Sequence, residues 1–200
     1  MPKSERERLL KLIRAQGIVR PRDLERYKIP RSCFQRLHRL GILDRLSRGV
    51  YALADTEPTE HHSLAEACKR VPHGVVCLLS ALRFHGLTTQ VPFEVWLAID
   101  RKARRPRVDH PPLHVVRFSG PALTEGVEEH TIEGVPVRIT TAARTVVDCF
   151  AYRNKVGLDV ALEALRDCWR QRKATMDELH RAAQARRREN VMRPYLEALT

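Results

Sequence analysis

The chain has 200 residues, 43% hydrophobic and 30% charged, with a formal net charge of +12, which suits one ordinary domain or a small module joined to a medium one. No apolar run approaches the ~20 residues that span a bilayer, and the N-terminal MPKSERERLL is charged from the start, so a membrane protein or a secreted one is not expected and a cytoplasmic protein is. Five scattered cysteines, Cys33, Cys68, Cys77, Cys149 and Cys168, with no Cys-x-x-Cys pair, exclude a disulfide framework or a zinc ribbon and predict reduced, buried thiols.

The first helix is predicted over about Glu5 to Gln16. Ser4 and Glu7 stand at capping-box spacing, and Leu9, Leu10, Leu12 and Ile13 form an apolar stripe that ends before Gly17. Gly17-Ile18-Val19 connects to a short second helix, Pro21 to about Tyr27, where proline suits a first turn and Leu24 and Tyr27 face inward. A turn at Lys28-Ile29-Pro30 leads to a third helix, about Arg31 to Leu40, with Cys33 or Phe34, Leu37 and Leu40 inward. Gly41 stops it. Ile42-Leu43 and Val50 to Leu53 have strand character, and Ser47-Arg48-Gly49 is the turn between them.

Three helices of this length followed by a glycine-bounded hairpin read as a winged helix-turn-helix over residues 1–54. Its third helix would enter a DNA major groove. Arg31, Ser32, Gln35, Arg36 and Arg39 fall on that helix's outer face. Arginine forks onto guanine O6 and N7, glutamine onto adenine, and serine suits phosphate or either base. Arg20 and Arg22 flank the start of the second helix, and Arg45 and Arg48 lie on the hairpin, where phosphate or minor-groove contacts are natural. Charge partition points the same way. Residues 1–54 carry a net +9, residues 55–150 a net −1 and residues 151–200 a net +4. A charge excess concentrated in one quarter of a chain marks a polyanion site there.

Asp55 to Thr59 is a polar linker. Beyond it, residues 60–200 read as a larger α+β domain with a mostly antiparallel sheet and a helical C-terminal part. A helix is expected over His61 to Val71 with Leu64, Ala65, Cys68 and Val71 inside, then an apolar stretch from Val75 that turns helical over Ser80 to His85. Four strands follow, at Glu94 to Ile99, Leu113 to Phe118, Val127 to Ile132 and Val135 to Ile139, the last two joined by the hairpin turn Glu133-Gly134. Thr140 or Thr141 caps a helix with Ala143, Val146, Val147 and Phe150 along one side. A helix from Leu158 to about Arg172 would bury Val160, Leu162, Leu165 and Trp169. Another begins at Thr175 and buries Met176, Leu179 and Ala183, and Arg193 to Leu199 closes the chain.

Three stretches, RLHRLGILDRLSRGVYAL, CLLSALRFHGL and RITTAARTVVDCF, resemble the AbiEi antitoxin family of type IV toxin–antitoxin systems in order and spacing. The first is shared by many winged-helix regulators, and the later two are more telling as a pair. The resemblance implies a repressor that binds inverted repeats in its own promoter, and because one winged helix recognises only a few base pairs, two copies are expected per operator. It also implies a second domain that counters a nucleotidyltransferase-like toxin without a stable complex. Composition and spacing alone give only the DNA-binding half of this.

No catalytic set emerges from the second domain, and neither a cofactor nor a metal is expected. Asp100-Arg101-Lys102 with Glu94 and Asp109 faintly resembles a metal-dependent nuclease end, but the spacing is ordinary and a charged strand end is the preferred reading. His61, His62, Cys68, His73 and Cys77 lack paired-ligand spacing. His85 reads as a satisfied structural histidine, and Arg144 and Asp148, four apart on one helix, read as a local ion pair. The basic loop with Arg101, Lys102, Arg104, Arg105 and Arg107 is either solvated or a secondary nucleic-acid or partner contact, with solvation preferred. Arg186-Arg187-Arg188 is either a solvated helix end or a further DNA contact. The alternatives to an antitoxin repressor are a winged-helix-targeted metal-dependent nuclease and a stand-alone transcriptional regulator without a toxin.

Overall fold

A computed structural model describes residues 3–199, with side chains from Glu5 onward; the capping role read for Ser4 lies outside the described side chains. The chain divides into two compact units. The first takes the chain up to Pro72 with Arg107–Pro111 and Thr131–Val137, and the second takes the remainder.

In the first unit, α1 (Lys3–Gln16), a 3-10 helix (Pro21–Tyr27) and α2 (Arg31–Arg39) precede β1 (Leu43–Ser47) and β2 (Val50–Leu53). Leu9, Ile13, Val19, Leu24, Phe34 and Leu37 pack with Leu43 and Tyr51 into one core. The strands pair antiparallel from Leu43↔Leu53 to Ser47↔Val50. Val19 adds a bridge to Tyr51, donating its N–H at 2.8 Å and accepting at 2.9 Å. This is the expected winged helix. One inward position differs: Leu40 is 62% exposed. The helix ends at Arg39, so Leu40 is its C-cap, and Gly41 at φ +67° redirects the chain so that Leu43 fills the core instead.

A further helix, α3 (His62–Arg70), buries Leu64, Ala65, Glu66, Ala67 and Cys68.

A five-stranded sheet contains β3 (Val75–Val76), β4 (Val95–Asp100), β5 (Leu113–Phe118), β6 (Val127–Ile132) and β7 (Val135–Thr140) in the order β5-β4-β3-β7-β6. It belongs to the second unit except for the Thr131–Val137 end of the β6–β7 hairpin, which belongs to the first. The α+β class and the helical C-terminal part stand, while the sheet is mixed where a mostly antiparallel one was expected. β3 and β4 run antiparallel, but β4–β5 and β3–β7 are parallel. The reason lies in the connections. Residues 101–112 form a long return between β4 and β5, and only such a crossover brings two strands alongside in the same direction.

Helices α4 (Leu78–His85), α5 (Ala142–Ala151), α6 (Arg153–Val156), α7 (Leu158–Arg170), α8 (Met176–Ala185) and α9 (Glu189–Glu197) complete the unit. Thr141 caps α5, accepting from the Arg144 N–H, and every residue from Ala142 to Phe150 is buried. Thr175 and Glu178 form a reciprocal capping box on α8. Trp169, expected inside, is 38% exposed. The inward stripe of α7 runs through Val160, Ala164, Leu165 and Cys168, which turns the adjacent Trp169 outward. The last helix starts at Glu189, ahead of the expected Arg193, and buries Met192 and Leu196.

Candidate nucleic-acid interface

Helix α2 separates two chemistries cleanly. Cys33, Phe34 and Leu37 are buried, whereas Arg31, Ser32, Gln35, Arg36 and Arg39 are exposed. The inward anchors hold the helix in a fixed roll. Phe34 packs on Tyr51 at a ring separation of 5.4 Å. His38 Nδ1 lies 2.9 Å from the Leu43 carbonyl oxygen, which requires the proton on Nδ1. The outer face therefore presents arginine and amide donors from a helix tied to the first wing strand through the His38 side chain.

The wing carries Arg45 and Arg48 into solvent. Its turn is Arg48-Gly49, with Gly49 at φ +74° and Ser47 opposite Val50. Helix α3 buttresses this turn. Ser47 Oγ donates to Glu66 Oε1 at 2.5 Å, and Arg70 Nη1 donates to the Arg48 carbonyl at 3.1 Å. Lys69 Nζ reaches Asp23 at 3.0 Å. The sequence reading missed these three α3 residues. A glutamate inside the apolar run from Leu64 to Cys68 was the available signal, because a buried carboxylate must find a donor.

The remaining candidate cations differ in availability. Arg22 is exposed. Arg20 is largely buried, and its Nε and Nη2 fork onto Asp23 at 2.9–3.2 Å. Burial pushes the Asp23 carboxyl up, but hydrogen bonds and charge from Arg20 and Lys69 outweigh it and hold it below the usual carboxylate value. Arg20 is thus committed to bracing the start of the 3-10 helix. Arg31 pairs with Glu25 at 2.8 Å, but both side chains are mostly exposed, so the pair is weak and a phosphate can replace the carboxylate.

Arg101, Lys102, Arg104, Arg105 and Arg107 are all exposed. The base of their loop is pinned by Arg117, whose Nη1 donates to the carbonyls of Asp100 and Ala103, and by Asp100 accepting from the Lys102 N–H. Glu94 is engaged by His114 Nδ1 at 3.1 Å. His85 Nε2 donates to the Thr140 carbonyl at 2.7 Å, and burial foremost lowers its pKa. Arg186 corrects the reading of the 186–188 run. It is neither a freely solvated helix end nor a free DNA contact: the side chain is only partly exposed, and its Nε donates to buried Asp148 at 2.7 Å, beside Arg144 at 3.2 Å.

A helix-turn-helix with an exposed basic face, followed at once by a cationic two-stranded wing, defines a winged-helix DNA-binding regulator. Residues 7–54 match the family model described as "Transcriptional regulator, AbiEi antitoxin", so the winged-helix module is similar to the DNA-binding part of that regulator family. No match was found among curated proteins. Among solved structures, the chain is similar to the crystal structure of the RV2827C protein from Mycobacterium tuberculosis, with a TM-score of 0.62 and 16% identity over 90% of this chain and 71% of that one. That likeness is one of fold.

Proposed function

We propose that the protein is a sequence-specific repressor of its own operon and the antitoxin of a nucleotidyltransferase-like toxin encoded beside it. The carrying observation is the exposed set Arg31, Ser32, Gln35, Arg36 and Arg39 on α2 with Arg45 and Arg48 on the wing, within the segment that matches the regulator family. Arg36 and Gln35 read base edges, Ser32 and Arg31 set the helix on the backbone, and Arg45 and Arg48 grip phosphate or the minor groove. Arg22 adds a backbone contact, while Arg20 acts through Asp23. One such module reads few base pairs, so two copies act on an inverted repeat. Among the described residues no helix is long and apolar enough to cross a membrane, consistent with work on cytoplasmic DNA. The acids that resemble a nuclease end, Glu94 and Asp100, are occupied by His114 and a local turn, and no observation favours cleavage.

The test is a titration of promoter DNA against random duplex at physiological salt. Promoter DNA should bind far more tightly. Arg36→Ala should cost about 1–3 kcal/mol and relax discrimination at one base position, whereas Arg48→Ala should weaken both duplexes evenly. Equal affinity for the two duplexes ends the repressor reading. Co-expression with the adjacent toxin gene tests the second half: growth should be restored by the chain even where the two proteins do not co-purify.

A further inference from the structure

The second unit contains a cleft of about 940 Å³ that the DNA-binding role does not use, within the size range of small-ligand sites. Its lining is divided by chemistry. Lys173, Arg181 and Arg187 come from the α7–α8 turn, from α8 and from the residues after it, and all three are exposed. Lys173 and Arg187 have no carboxylate in ion-pair range among the described residues, and Arg181 has only a loose pair with exposed Asp177 at 3.6 Å. The other cationic lining is different. Arg144 and Arg186 share Asp148 and are stacked over Phe118 at 5.2 and 5.3 Å, so they form a fixed wall rather than free donors.

Ala142, Ala143, Ala174 and Ala182 line the same cleft. Methyl side chains offer a low apolar surface over which a planar ring can lie without displacing anything. Glu125 and Glu128 come from a third stretch. A cleft made only for an inorganic anion would gain nothing from carboxylates. A ligand that carries both an anionic group and neutral hydroxyl or amino donors uses both. His85 adds an acceptor: its Nε2 proton is given to Thr140, leaving Nδ1 with a lone pair.

We propose that this cleft binds a nucleoside phosphate, with the phosphate on Lys173, Arg181 and Arg187, the base over the alanine surface and the ribose or exocyclic donors on Glu125 and Glu128. No step of the DNA-binding reading requires it, so either idea can fail alone. The experiment is calorimetric titration of the full chain with AMP and with GMP, with adenosine, guanosine and inorganic phosphate as separate arms. At least one nucleotide should bind one to one, and the Lys173→Ala/Arg181→Ala variant should weaken it by about tenfold or more with an unchanged melting midpoint. The Arg36→Ala/Arg48→Ala variant should retain full nucleotide affinity, since a basic winged helix could attract nucleotides by itself. The proposal is overturned by no saturable binding, by loss in the winged-helix variant instead, or by phosphate alone matching the nucleotide. Promoter binding measured on the same Lys173→Ala/Arg181→Ala sample should be normal, which keeps the two readings distinguishable.

Discussion

Asp148 shows how one residue can join segments that the sequence keeps apart. Its carboxylate is fully buried and accepts from Arg144 Nε at 3.2 Å and Arg186 Nε at 2.7 Å. Arg144 then uses its remaining donors on the carbonyls of Ala122 and Glu125, holding the residues between β5 and β6 against α5. The buried carboxylate is thus compensated and the buried Arg144 donors are hydrogen-bonded, which is the condition under which burial is tolerated, while the second cation, Arg186, keeps part of its surface in solvent. Removing one partner breaks it. Asp148→Ala should lower the unfolding free energy by about 3–5 kcal/mol, read by urea denaturation, while Arg186→Ala should cost less because that side chain is partly solvated. Equal losses would mean that packing over Phe118, not charge, sets the cost. The Arg144–Asp148 half was legible, since four residues on one helix fix the distance. Arg186 was not, because nothing in a run of three arginines says which one turns inward.

Elements were most legible where a local rule decides them. The hairpin turn at Glu133-Gly134, a threonine cap at the start of α5, the helix start at Thr175 and the Gly41 stop all follow from short-range chemistry. What a turn packs against is not local. Gly17 and Gly134, both at positive φ, bring two backbones together so closely that a Cβ on Gly17 would overlap the Glu133 carbonyl, and one on Gly134 would sit 2.5 Å from the Gln16 carbonyl carbon. The same turn is pinned by Glu133, which accepts from the Thr59 N–H at 2.8 Å and from His62 Nδ1 at 2.7 Å. Gly49, at the tip of the wing, has the same backbone hand but nothing within 4 Å. Gly49→Ala should therefore cost only the left-handed backbone penalty, about 1–2 kcal/mol. Gly17→Ala and Gly134→Ala should be markedly worse, because backbone must move. Melting midpoints of the three variants give the comparison, and three equal shifts would show that the close approach is not what requires glycine.

At the scale of the whole molecule, the sequence revealed where charge is concentrated but not how all of it is used. A net +9 on residues 1–54 identified the nucleic-acid module because electrostatic attraction needs only proximity, which chain continuity supplies. Strand direction in the second unit was beyond reach, since β4 and β5 are set parallel by a return loop whose path no residue pattern dictates. The division of labour among the cations also needed coordinates: Arg20 is braced by Asp23, while Arg22, Arg36, Arg39, Arg45 and Arg48 stand free in solvent. That difference has a measurable consequence. Each phosphate neutralised releases condensed counterion, so log K for promoter binding should fall linearly with log salt, by about 0.9 per contact. With two copies on an inverted repeat, Arg48→Ala should flatten the slope by about 1.8, two contacts being lost. Lys173→Ala, far along the chain in the nucleotide cleft, should leave the slope unchanged. Arg20→Ala is the discriminating case. It should leave the slope nearly intact while lowering the melting midpoint, because the charge it removes was already spent on Asp23; a slope change matching that of Arg48→Ala would return Arg20 to the DNA contact set.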